Sequence, residues 1–255
     1  MLSLPQYLLP EGMTEMVFLL LMATSFAGSL ITVAFGIGGG GVLLAVMATL
    51  VPPAALIPTH GVIQIGSNLG RALVTFRHIF WPALPAFAIG SVIGAGLGGA
   101  VAINLPPEWV QIGVGSFVIW SVLGKPPRDV RDWPVLVGAV SSFLTMFFGA
   151  TGLFVAIFTK SQRLPRHDHV ATHAALMTVQ HGIKTLAFGL LGFAFAEWWP
   201  FIGAMIAAGF CGTLVGKTLL NRLDDRRFRL ALDAVLILLS LRLIWGGLRQ
   251  LFASG

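Results

Sequence analysis

Ten apolar stretches follow one another along this chain, most of them close to the ~20 residues an α-helix needs to cross the hydrocarbon layer of a bilayer. They lie at 13–35, 40–51, 54–76, 82–103, 107–124, 134–148, 150–162, 165–193, 197–220 and 228–250, the second and seventh being short. Inside hydrocarbon the backbone has no water to bond, so such stretches must be helices or the strands of a closed barrel. Barrel strands alternate apolar and polar positions with a period of two, and that alternation is absent here. Only 10% of the 255 residues are charged, against roughly 25% in soluble domains. The predicted class is an all-α polytopic membrane protein, with no room for a separate soluble domain.

A net charge of +6 and a pI near 10.5 could suggest a nucleic-acid binder. The basic residues instead sit mainly in short loops between the apolar stretches, where lipid head groups and the insertion machinery read them. Counted from an outside N-terminus, the inside loops hold Arg77; Lys125, Arg128 and Arg131; Lys160, Arg163 and Arg166; and Arg222, Arg226 and Arg227. The outside loops hold Glu108 and Glu197 and no Lys or Arg, and Arg249 is the one exception. The asymmetry predicts ten crossings of a bacterial inner membrane with both termini periplasmic, and it disfavours short segments that re-enter on the same side. Met1 to Gly12 carry no Lys or Arg, so they lack the basic start of a secretory signal peptide.

The chain also repeats itself. With a constant step of 113 (35 to 148), Phe35-Gly36 matches Phe148-Gly149, Gly39 matches Gly152, Pro52 matches Pro165 and Thr59-His60 matches Thr172-His173. In the same register Asn68 meets His181, Arg71 meets Lys184, and Gly90, Gly96 and Gly99 meet Gly203, Gly209 and Gly212. Five segments per half is an odd number, so the second half enters from the opposite side. The predicted organisation is a first repeat at 1–124, a basic cytoplasmic linker at 125–133 and an inverted second repeat at 134–255. Inverted repeats recur in secondary transporters, with the site near the midplane between the halves, and channels share the architecture.

Polar residues inside the apolar stretches mark the candidate site. His60, Gln64, Asn68 and Arg71 share one helical face of the third segment; His173, Gln180, His181 and Lys184 share one face of the eighth, with Thr172 beside them. A cation at mid-bilayer costs ~2.5–3.5 kcal/mol on insertion scales and normally faces a partner or a wet cavity. No carboxylate accompanies either stripe, so an anionic substrate would complete the charge balance, and histidines that titrate near neutral pH would tune it. The plainer alternative is hydrogen bonding between helices, with Arg71 and Lys184 snorkelling to the interfaces. The run Gly38-Gly39-Gly40-Gly41 opens the short second segment, where bare backbone and free N–H groups suit an anion. The glycines at 90, 94, 96, 98 and 99 read as close helix packing. Lys217 is expected to snorkel, Asp233 to lie near the cytosolic end, and Arg242 lies deep in the last segment without an evident partner. Cys211 is alone, which permits neither an intrachain disulfide nor a thiolate metal set.

The Phe-Gly-x-Gly-Gly-Gly run after a first apolar helix, the proline after a short second helix and the stripe from Thr59-His60 to Arg71, duplicated in the second half, resemble the sulfite exporter TauE/SafE family over essentially the whole chain. The resemblance implies a secondary transporter, exporter or permease, for sulfite, organosulfonates such as sulfoacetate, or related sulfur compounds. It implies no enzymatic activity and no cofactor. The substrate-binding residues expected are Gly38, Gly39, Gly40, His60, Gln64, Asn68, Arg71, Thr172, His173, Gln180, His181 and Lys184. Partners are the bilayer and a small anion, with proton coupling; a passive anion channel or a carrier of a non-sulfur anion is the alternative. In the second half Thr151 and Leu153 stand where the first has Gly38 and Gly40, so the two halves need not contribute equally.

Overall fold

The structure is a computed structural model that describes residues 5, 8–35, 38–102, 105–124, 133–149, 151–219 and 225–253. The expected basic linker up to residue 132, together with Gly36, Ile37, Ala150 and Arg222, lies outside the described residues. Within them are ten α-helices and no strand: α1 Glu15–Phe35, α2 Gly39–Leu50, α3 Pro53–Val74, α4 Ala83–Ala102, α5 Pro107–Leu123, α6 Pro134–Phe148, α7 Gly152–Ser161, α8 Arg166–Leu190, α9 Trp199–Leu219 and α10 Asp225–Ala253. Two 3-10 turns, Phe76–His78 and Phe195–Trp198, precede α4 and α9. Each helix falls on one of the ten apolar stretches.

Prolines set several of these starts. Pro53, Pro107 and Pro134 open α3, α5 and α6 at the first helical position, where the missing N–H costs nothing and φ is already helical. Gly149 ends α6 with φ 74° and Gly38 precedes α2 with φ 107°, conformations that favour glycine. These two glycines let the chain turn sharply into the short helices. At 12 and 10 residues, α2 and α7 rise only about 18 and 15 Å, well short of a hydrocarbon layer of ~30 Å. Gly39 packs against the backbone of Gly28 and the side chain of Thr32, so α2 starts partway along α1 rather than beyond its end.

The four most extensive helix pairings are α4 with α6, α1 with α9, α5 with α10 and α3 with α8. Each joins one of the first five helices to one of the last five. Glycines make the closest approaches: Gly90 and Gly94 meet the α6 backbone at Val135 and Ala139, and Gly212 meets the α1 backbone at Phe26. That is the small-residue packing of membrane helices; Gly96, by contrast, has nothing near it. Contacts at Phe87–Gly138, Gly94–Ala139 and Gly98–Phe143 run α4 and α6 in one direction. Gly209–Ser25, Gly212–Phe26 and Gly216–Leu30 do the same for α9 and α1. The α5–α10 contacts Gly115–Ser240 and Glu108–Gly247 run oppositely.

The burial pattern is that of a bundle in lipid. Leu, Ile and Val of α4 (Ile89, Val92, Ile93, Leu97) and of α10 (Leu238, Leu241) face outward, while Ser, Thr, Gln, His and Lys side chains are buried. Glu15–Val33, Ala83–Val101, Phe195–Gly216 and Leu236–Ala253 are, among the described residues, long and apolar enough to cross a membrane by length and composition alone. Arg242 does not turn into the bundle: it is exposed on α10.

Candidate functional site

The polar stripes of α3 and α8 are packed on each other. The pair runs antiparallel: His60 meets His181 with ring centroids 6.1 Å apart and planes at 84°, whereas farther along His78 Nδ1 lies 2.8 Å from Asp168 Oδ1. Gly61 makes room at this crossing. A Cβ there would come within 2.8 Å of Lys184 Cε, so the lysine stem lies where a side chain of α3 would otherwise be.

Lys184 is fully buried, and its Nζ has no hydrogen-bond partner among the described residues. His60 Nδ1, His181 Nδ1 and Thr185 Oγ1 are buried and unpartnered as well. His60 Nε2 lies 3.1 Å from the Gly40 carbonyl. A carbonyl only accepts, so Nε2 carries the hydrogen and Nδ1 is left as an open acceptor in the neutral ring. His173 Nε2 makes the same bond, 3.2 Å, to the Gly152 carbonyl. Each histidine thus ties its long helix to the start of the short helix before it. Lys184 lies within electrostatic reach of His60 and His181, and Arg71 within reach of His173. By the 113-residue step these are corresponding pairs.

The two cations differ in their surroundings. Arg71 Nη2 donates to Asn68 Oδ1 at 2.7 Å and its Nε to the Ser67 carbonyl at 3.3 Å, while Asn68 Nδ2 donates to the Gln64 carbonyl at 2.8 Å. Lys184 has no such support. A buried lysine amine left without a partner is costly, and a bound oxyanion would supply what is missing.

A profile of the sulfite exporter TauE/SafE family matches residues 20–243. The chain belongs to the TauE/SafE family. Every residue of the polar stripes lies inside the matched span, and the family implies a membrane transporter of sulfite or related anions rather than an enzyme. No curated protein and no solved structure matches the chain.

Within this TauE/SafE bundle the twelve expected site residues fall into groups. His60, His181 and Lys184 form one cluster. Gly39, Gly40 and Gln64 line a small polar cavity at the start of α2, together with Ser25, Gly28, Ser29 and Thr32 of α1, Ser67 of α3 and Gly209 of α9; Gly38 stands just outside it, exposed. Asn68, Arg71 and His173 lie farther along the helix pair. Thr172 sits apart, its Oγ1 accepting from the Phe80 N–H at 2.9 Å. Gln180 is held at both ends of its amide: Ser141 Oγ donates to Oε1 at 3.0 Å, and Nε2 donates to Thr151 Oγ1 at 2.6 Å. Among the described residues no three His, Cys, Asp or Glu come together as a metal set.

The α1 hydroxyls do not stand out in the sequence, because Ser and Thr in apolar helices usually mean packing. Their spacing carried a signal: Ser25, Ser29 and Thr32 stand at i, i+4 and i+7, one helical face. A second cavity of about 300 Å³, wholly apolar in its side chains, opens one turn beyond the cluster between the starts of α3 and α5 and the ends of α6 and α8. Ile57 and Phe188 line it, one turn from His60 and Lys184 respectively. The opposite end is closed: Ile79 packs with Ala171, Ala174 and Ala175, and His78 pairs with Asp168.

Proposed function

We propose that the chain is a secondary transporter, exporter or permease, for small sulfur-containing anions such as sulfite or organosulfonates, working by alternating access at a site between two inverted five-helix halves. The observation that carries this reading is the buried Lys184 Nζ, without a hydrogen-bond partner among the described residues, beside His60 and His181 at the α3–α8 crossing. An anion entering there gains a charge-assisted partner that the protein itself withholds. The open Nδ1 atoms of His60 and His181 can accept a proton, which gives coupling to protons a place in the cycle. Arg71, with His173, provides the corresponding attraction one stage along the path.

Helix directions support the inverted arrangement and the ten crossings. In a strictly alternating map α1 and α9 cross the same way, as do α4 and α6, while α3 opposes α8 and α5 opposes α10. All four relations agree with the packing. Were α2 and α7 to re-enter on one side, α3 and α8 would run parallel. The proposed sides also agree with proximity: His78 and Asp168, both assigned to the cytoplasm, touch, and the apolar cavity gathers segment ends assigned only to the periplasm.

Flux into proteoliposomes tests the reading, with sulfite, sulfoacetate, taurine and thiosulfate as substrates. Saturable uptake with counter-flow of at least one of them is expected. Non-saturable conductance without counter-flow would make the protein a channel, and indifference to all four would remove the sulfur assignment.

A further inference from the structure

The two halves treat the start of their short helices differently. At α2 three glycines, Gly28, Gly39 and Gly40, leave a cavity of about 10 Å³, the space of a single water oxygen. Its walls include Gln64 and Ser29, 9% and 7% exposed, and the half-buried Ser67. None of these three side chains has a hydrogen-bond partner among the described residues; the one bond at Gln64 runs through its carbonyl. Ser25 and Thr32, also on the wall, already donate to the Met205 and Gly28 carbonyls. The free donors are therefore the Ser29 and Ser67 hydroxyls and the Gln64 amide, beside the Gly39 and Gly40 N–H groups; the next two, of Gly41 and Val42, already bond to the Gly38 carbonyl. Donors without acceptors at the positive end of a helix dipole suit an anionic oxygen.

At α7 the same place is filled. The 113-residue step replaces Gly28 by Ser141, Gly38 by Thr151 and Ser67 by Gln180. These three residues hydrogen-bond to one another: Ser141 to Gln180 Oε1, Gln180 Nε2 to Thr151 Oγ1, and Thr151 Oγ1 to the Ser141 carbonyl at 3.0 Å. Side-chain atoms of the protein occupy the position that stays open in the first half.

We infer that the cavity at the start of α2 receives one oxygen of the transported oxyanion, with Ser29, Ser67 and Gln64 as its donors, and that the plugged second half provides no equivalent. The chain then binds one anion, not two. His60, one turn from Gln64 on α3 and bonded to the Gly40 carbonyl, connects the wall of this cavity to the cluster that holds Lys184. This inference rests on the proposed anion transport and assigns the binding determinants within it.

Equilibrium binding of radiolabelled sulfite and sulfoacetate to the detergent-purified full chain tests it, with a melting curve for each variant. Ser29→Ala and Ser67→Ala should each weaken binding about ten-fold, the loss of one hydrogen bond to a charged oxygen. Ser142→Ala, which removes the buried hydroxyl corresponding to Ser29 in the second half, should stay within about two-fold, since it takes away no donor from the anion. The wild type should saturate at one anion per chain. Unchanged binding in both Ser29→Ala and Ser67→Ala, or two anions per chain, overturns the one-sided site while leaving the transport reading standing. A wild-type protein that binds neither anion overturns both.

Discussion

Lys184 holds a position that stability alone would give to an apolar side chain. Removing one partner of a buried charge pair is destabilising, but replacing a buried, unpaired charge with an apolar side chain of similar volume relieves desolvation. Lys184→Met should therefore raise the melting temperature in detergent while lowering anion flux at least ten-fold in proteoliposomes reconstituted at equal protein; unchanged flux would mean that the ammonium does not meet the substrate. Arg71→Ala should also lose most of the flux, because the half-buried Arg71 is screened less than a charge in open water. It should be less stable as well, because Asn68 Oδ1 is left without its donor. Arg128→Ala, in the linker that the sequence assigns to solvent, should leave flux near the wild-type rate, since exposed charges contribute little.

At the scale of helices, the tight turns carry the risk. A Cβ at Gly149 would meet Leu44 at 2.8 Å, and φ there is 74°, so Gly149→Ala combines a clash with a left-handed backbone that costs ~1–2 kcal/mol. Gly203 has nothing within 4 Å, and Gly203→Ala should be nearly neutral. A melting comparison of the two in one detergent checks the contrast. The helices themselves were legible in the sequence, because an apolar run bounded by proline or glycine leaves few choices in lipid. The small differences have local causes. α8 stops at Leu190 rather than running to 193 because Gly192 takes φ 92°, and α10 begins at Asp225, ahead of the apolar run at 228, because its first turn is polar. The stripe on α3 and α8 was legible too. That Lys184 would be bare while Arg71 is braced was not, because the brace depends on which neighbours each cation reaches in space. Nor could the sequence reveal that Gln180 fills the second-half position, since a glutamine reads alike as ligand or plug.

For the molecule as a whole, the proposed cycle needs two ends that open in turn, and here one is wide and the other shut. In a Cys211→Ser background, His78→Cys with Asp168→Cys should cross-link on mild oxidation. Flux should fall several-fold and return with reductant; full activity in the oxidised protein would show that this end never has to part. Cysteine labelling at positions 128 and 163 should come only from the cytoplasmic side, and reaction of either from outside intact cells would reject the proposed topology.

The cross-half pairing also bears on how the protein comes into being. α1, α3, α4 and α5 find their largest partners in α9, α8, α6 and α10, all of them made later. A nascent chain that has delivered only its first five helices to the bilayer therefore holds their glycine-lined and hydroxyl-bearing sides open to lipid. Assembly waits on translation of the last segment. A message truncated anywhere before α10 yields an orphan that membrane quality-control proteases can recognise, and a gene split at the linker yields two products that persist only when made together.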